Sequence, residues 1–174
     1  MNGKTRTMTL SALLSALTII FMYISSVWPT GRLGLIALSS LFSAAAVCEA
    51  GVLPGVYVYI ISCALGLLLI PDKSAPLLYI LFFGFYPVVK SLIERVKGAP
   101  LQWILKLLVF NISFTVIWFL LRKLIFESSD NPPGILLLYL GGNIVFALFD
   151  YGFSKVIWLY IDRVSKYTNK GRYR

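Results

Sequence analysis

Four ionisable side chains, Glu49, Lys90, Asp150 and Lys155, fall within or at the edge of long apolar runs. A charge in such a run is costly unless paired, so by default it marks a functional group or a specific partner. Lys90 and Asp150 sit at similar depth in their runs, which predicts an intramembrane ion pair. Reversing both charges together is then expected to rescue what either reversal alone destroys. Polar and aromatic residues also repeat at helical spacing. Tyr79, Phe83, Tyr86 and Lys90 share one face, Asn111, Thr115, Trp118 and Arg122 a second, and Tyr139, Asn143 and Asp150 a third. Polar side chains in apolar helices normally turn toward the interior of a bundle. Convergence of the three faces would enclose an aromatic-lined cavity, with Tyr79, Tyr86, Asn111, Trp118, Arg122, Tyr139 and Asn143 as the candidate substrate-binding residues. The chemistry this predicts is reversible binding of a small molecule. The competing expectation is that the amides and rings only pack helices together, and that the charges form a structural pair with snorkelling lysines.

Covalent chemistry has little to work with. There is no histidine, hence no Ser-His nucleophile, and no GxxxxGK[ST], HExxH or GxSxG motif. Asp150 is the only deep aspartate, and Asp162 lies at a helix end, so a two-aspartate intramembrane protease is not expected. Cys48 and Cys63 lie in or beside apolar runs and read as small hydrophobes rather than metal ligands. Neither an enzyme nor a bound cofactor is expected.

The elements that must position these residues follow from composition. Of 174 residues, 59% are hydrophobic and 13% charged. A soluble domain of this size carries about 25% charged residues. The apolar excess is concentrated in runs near the roughly 20 residues that cross a bilayer as a helix. Six spans are predicted, at 10–28, 33–50, 52–70, 76–94, 101–121 and 135–161, followed by a basic tail at 163–174. The fold class is an all-α integral membrane protein, a single bundle of six transmembrane helices. An even number of spans places both termini on one side. That side would hold nine basic residues outside the spans (Lys4, Arg6, Arg95, Lys97, Arg163, Lys166, Lys170, Arg172 and Arg174), the other four (Arg32, Lys73, Arg122 and Lys123). The positive-inside rule then places both termini in the cytoplasm. The net charge of +9 belongs to this orientation signal, and no nucleic-acid partner is expected.

The first span carries Ala12-Leu-Leu-Ser-Ala16, a small-xxx-small pattern with Ser11 and Ser15 beside it. The second carries Ser39, Ser43 and Ala46, with Ser40 and Ala44 adjacent. Small residues let helices approach closely where lipid supplies no hydrophobic force between them.

With this size, six spans, a basic tail, no nucleotide site and the Ala12–Ala16 element, the chain resembles the substrate-binding S components of energy-coupling-factor (ECF) vitamin transporters. The resemblance implies a subunit of a bacterial-type inner membrane that captures a vitamin-like or other small heterocyclic solute near its outer face. Its first helix would dock through Ala12 and Ala16 on a transmembrane coupling subunit, through which cytoplasmic ATPases supply energy. The alternative is a non-transporting scaffold, such as the rod-shape-determining family of bacterial cell-wall machinery. There Glu49, Lys90, Glu94, Asp150 and Lys155 would form the partner surface.

Overall fold

The computed structural model describes residues 3–126 and 134–165; the side chains of 29, 121–126, 135, 164 and 165 lie outside the described set. The polar loop centred on Ser128–Pro133 and the tail residues Lys166, Lys170, Arg172 and Arg174 also lie outside it. All regular structure among the described residues is helical. Six helices are long and apolar enough to cross a membrane.

Prolines and glycines set the boundaries. Helix α1, Gly3–Val27, stops one residue short of a 3-10 turn at Pro29–Gly31, and α2, Arg32–Ala50, follows at once. The α2 to α3 turn is made at Gly51, whose φ of 99° lies in the left-handed region that favours glycine. Helix α3, Val52–Leu69, ends because Ile70 precedes Pro71; Ile70 adopts the extended conformation that a following proline demands. Pro54, Pro76 and Pro100 all sit in first helical turns, where the missing N–H costs nothing.

Pro87 is different, because it falls inside the fourth span, α4, Ser74–Ile93. Its ring and missing N–H disrupt the preceding turn. The helix passes from α-helical Ser74–Leu78 into a π-helical turn at Tyr79–Phe83, then resumes as α-helix over Tyr86–Ile93. The Gly84 N–H donates to the Tyr79 carbonyl at 2.7 Å, the wider bond of the π turn. Helix α5, Ala99–Phe126, and helix α6, Ile135–Tyr160, complete the bundle, with a further π turn at Ile161–Ser165.

The helices are not equally embedded. Buried residues make up 33%, 39%, 28% and 50% of the apolar windows of α1 to α4, but only 11% and 17% of those of α5 and α6. Small residues explain the difference. On α2, Ser39, Ser40, Ser43, Ala44 and Ala46 are all buried, so α1, α3 and α4 approach it closely. Ser39 and Ser40 turn their hydroxyls back onto the carbonyls of Ile36 and Ala37, which lets them pass as small apolar residues. Met22, Ile36, Ile70, Ala75, Leu78 and Tyr79 form the main apolar core. The α5–α6 hairpin lies against one side of this unit.

At one end of the bundle, the starts of α2 and α4 are tied together. Arg32 pairs with Asp72 at 2.7 Å and donates to the Ser74 hydroxyl at 2.6 Å. Asp72 in turn accepts from the Ser74 N–H and hydroxyl. Partial burial pushes the Asp72 carboxyl up, but the Ser74 hydrogen bonds and the Arg32 guanidinium outweigh it and hold it below the usual carboxylate range. Lys73 caps the end of α3, donating to the Leu67 and Ile70 carbonyls at 2.6 and 2.8 Å.

Candidate functional site

Two features occupy the space between the hairpin and the rest of the bundle. Toward the Glu94 end lies a charge cluster. Lys90 on α4 pairs with Asp150 on α6, and also with Glu94 at 2.8 Å. Lys106 on α5 bridges the same two carboxylates, at 2.9 Å to Glu94 and 3.0 Å to Asp150. Two ammoniums and two carboxylates alternate, so the cluster is neutral. Two neutral hydroxyls complete the set: the Tyr86 hydroxyl donates to Asp150 Oδ1 at 2.6 Å, and Lys90 donates to the Ser154 hydroxyl at 2.8 Å. Lys90, Lys106 and Asp150 are buried, whereas Glu94 is about half exposed at the end of its helix. A buried charge set persists only when paired and hydrogen-bonded in this way. Lys106 carries the same signal in the sequence as Lys90, because it is a lone cation inside an apolar run. The cluster, rather than the Lys90–Asp150 pair alone, is the structural unit.

Toward the Arg32 end lies a cavity of about 600 Å³ between α2, α4, α5 and α6. Its walls are Leu33, Gly34 and Ala37 of α2, Leu78, Phe82 and Phe83 of α4, Phe110, Phe114 and Ile117 of α5, and Leu137 to Phe149 of α6 on the inward side. Six phenylalanines dominate it. Phe110 and Phe146 stack with centroids 4.6 Å apart, and Phe82 packs edge-on against Phe110 at 5.6 Å and Phe146 at 6.1 Å. The π turn on α4 lets both Phe82 and Phe83 face this space. The size is that of a small-molecule site.

The polar residues expected to line a cavity are engaged with one another and do not form its wall. Asn111 and Asn143 exchange amide hydrogen bonds across α5 and α6, at 3.0 and 3.2 Å. The Thr115 and Tyr139 hydroxyls meet at 2.7 Å one turn away. Tyr79 is fully buried and its hydroxyl meets that of Ser43, 2.7 Å away on α2. Tyr86 serves the charge cluster. Trp118 is half-buried on α5, and the side chain of Arg122 lies outside the described residues. The stripes therefore do face their neighbours, as polar groups in apolar helices must. They meet as pairs, and the open space between the helices is left to phenyl rings.

The other singled-out residues are dispersed. Ala12 and Ala16 are exposed, while Ser11 and Ser15 turn inward. Glu49 is half-buried and accepts from the Tyr160 hydroxyl at 3.3 Å. Lys155 is exposed, its ammonium 5.6 Å from the centre of the Tyr151 ring. Among the described residues no three His, Cys, Asp or Glu side chains come close enough to share a metal ion.

No protein-family model, no curated protein and no solved structure matches the chain.

Proposed function

We propose that the chain is the substrate-capture subunit of a small-molecule uptake system of the energy-coupling-factor type, a six-span protein of a bacterial-type inner membrane with both termini cytoplasmic. The observation that carries this reading is the 600 Å³ cavity between α2, α4, α5 and α6, set in the half of the bundle away from the charge cluster. In the proposed orientation that half faces outward, where a solute is captured, and the cluster lies toward the cytoplasm. The loose hairpin of α5 and α6 supports a capture mechanism, since a wall that packs lightly can move aside and close again. Ala12 and Ala16, exposed on α1, are the proposed contact with a transmembrane coupling subunit, through which cytoplasmic ATPases would act. Neither side chain is buried in the chain's own core, so both can be enlarged without disturbing it.

Two measurements test the proposal. Purified protein screened against vitamins and other small heterocycles is expected to show a saturable rise in thermal stability, about 2.7 kcal/mol at 100 times Kd. The double substitution Ala12→Leu, Ala16→Leu is expected to abolish co-purification with the coupling subunit while leaving that rise intact. A flat screen together with unchanged co-purification overturns the proposal and favours a scaffold whose partner surface is the charged end.

A further inference from the structure

We infer that the cavity holds a single hydrocarbon chain, admitted sideways from the bilayer between α2 and α6. This rests on the capture reading and narrows its solute from heterocycles at large to molecules whose buried part is uncharged hydrocarbon.

The wall itself makes the first argument. Every lining residue is Gly, Ala, Val, Leu, Ile or Phe. A polar heterocycle placed there would lose its hydrogen bonds to water and gain none, at a cost that grows with each unpaired polar atom. The nearest amides and hydroxyls, Asn111 with Asn143 and Thr115 with Tyr139, already satisfy one another. Hydrocarbon has no such requirement.

Shape makes the second. The lining of α6 runs from Leu137 to Phe149, and at a rise of 1.5 Å per residue this is about 18 Å. On the facing walls the lining is shorter, Leu78 to Phe83 on α4 and Phe110 to Ile117 on α5, about 7.5 and 10.5 Å, so a chain laid along α6 meets the most apolar wall.

The mouth makes the third. Phe82, Phe146 and Leu78 at the floor are buried, whereas Leu33, Leu137 and Val145 at the rim are more than half exposed. Val145 lies on the flank of α6, whereas Leu33 and Leu137 stand in the first turns of α2 and α6, at the Arg32 end. The end of the bundle beside the slot is tied by the Arg32–Asp72–Ser74 bridge. Between the rim residues stand Gly34 and Gly141, both exposed, and a side chain added at either would meet no atom within 4 Å. The opening is therefore made by missing side chains, and it runs from the Arg32 end of the bundle along the flank of α6 that lipid would cover.

The test uses the full chain in lipid nanodiscs and a diazirine-bearing palmitic acid as photoaffinity probe. Labelling of α4, α5 and α6 at the slot is expected to saturate at one probe per protein and to be competed by unlabelled palmitate. Gly34→Trp with Gly141→Trp, which fills the mouth, is expected to weaken labelling at least tenfold, about 1.4 kcal/mol. Gly34→Ala with Gly141→Ala leaves the mouth open and is expected to label as the parent does, which separates blocking from misfolding. Unsaturable labelling, equal on the slot and on the exposed Leu67–Leu69 flank of α3 and indifferent to the tryptophans, means ordinary boundary lipid and overturns the inference. Absence of slot labelling, with a polar heterocycle stabilising the parent but not the tryptophan variant, also overturns it while leaving the capture reading intact. Saturable labelling with no effect of Ala12→Leu, Ala16→Leu on co-purification and a flat vitamin screen upholds the hydrocarbon site and removes the transporter reading.

Discussion

Substituting Asp150 by asparagine tests how the α5–α6 hairpin is held. The native cluster contains Lys90, Lys106, Glu94 and Asp150, so its charges sum to zero; removing the Asp150 charge would leave a net charge of +1. At the 3.0 Å separating Lys106 from Asp150, and an effective dielectric of about 20, one such contact amounts to roughly 5.5 kcal/mol before desolvation is subtracted. Lys90 loses a comparable contact. Desolvation of the carboxylate offsets part of this, and the net cost of stranding a buried charge is about 3–5 kcal/mol. Thermal unfolding in detergent, followed by tryptophan fluorescence, should show the apparent Tm falling by roughly 10 °C. Adding Lys106→Met restores neutrality and leaves Lys90 with Glu94, so the double variant is expected to regain much of the loss. Reversal of the pair, Lys90→Asp with Asp150→Lys, is expected to fail. The new lysine would face Lys106 and the new aspartate would face Glu94. This replaces the rescue expected from a two-residue pair. An apparent Tm for Asp150→Asn within about 2 °C of the parent, or recovery on charge reversal, would refute the neutral-cluster argument.

Asn143→Leu leaves the Asn111 amide without its partner and is expected to cost about 1 kcal/mol, whereas the Asn111→Leu, Asn143→Leu double variant regains most of it in the same unfolding assay. Gly84→Ala would place a Cβ 2.7 Å from Cδ2 of Tyr59 and against the Tyr79 ring, and is expected to prevent accumulation of folded protein in a fluorescent-fusion size-exclusion assay. The lowered pKa of Asp72 contributes stability that is present above the ordinary carboxylate pKa and is lost as pH falls through the folded value. The Tm difference between the parent and Asp72→Asn should therefore narrow as the pH of a thermal-unfolding series is taken down through the carboxylate range.

The number of long apolar helices was readable in the sequence because apolar runs bounded by Pro, Gly and charge permit little else. The polar stripes were also readable, since helical spacing alone puts Asn111 with Thr115, and Tyr139 with Asn143. Spacing does not say whether two stripes meet each other or a ligand. Here the amides and hydroxyls pair, and the free volume falls to apolar faces such as Phe110, Phe114 and Ile117, whose helical spacing is that of any packing face and so carried no separate signal. Strict periodicity also fails across Tyr79, Phe83, Tyr86 and Lys90. The π turn before Pro87 rotates the two halves of α4, sending Tyr79 to Ser43 on α2 and Lys90 to Asp150 on α6. Pro87 inside a span was the visible sign that one regular face could not be assumed.

The charge cluster also bears on how the chain is made. The ribosome delivers α4 with Lys90 and Glu94, then α5 with Lys106, and only after both α6 with Asp150. Lys90 lies three residues before the end of α4 and Lys106 is the eighth residue of α5, so each opposes insertion by less than the roughly 2.5–3.5 kcal/mol of a lysine at a span's centre. Until α6 arrives, two ammoniums share the single carboxylate of Glu94. In the proposed membrane fold the arrival of α6 would neutralise the two helices before it, so α4, α5 and α6 are expected to commit to the bilayer together, and a chain truncated before Asp150 would leave α5 poorly anchored.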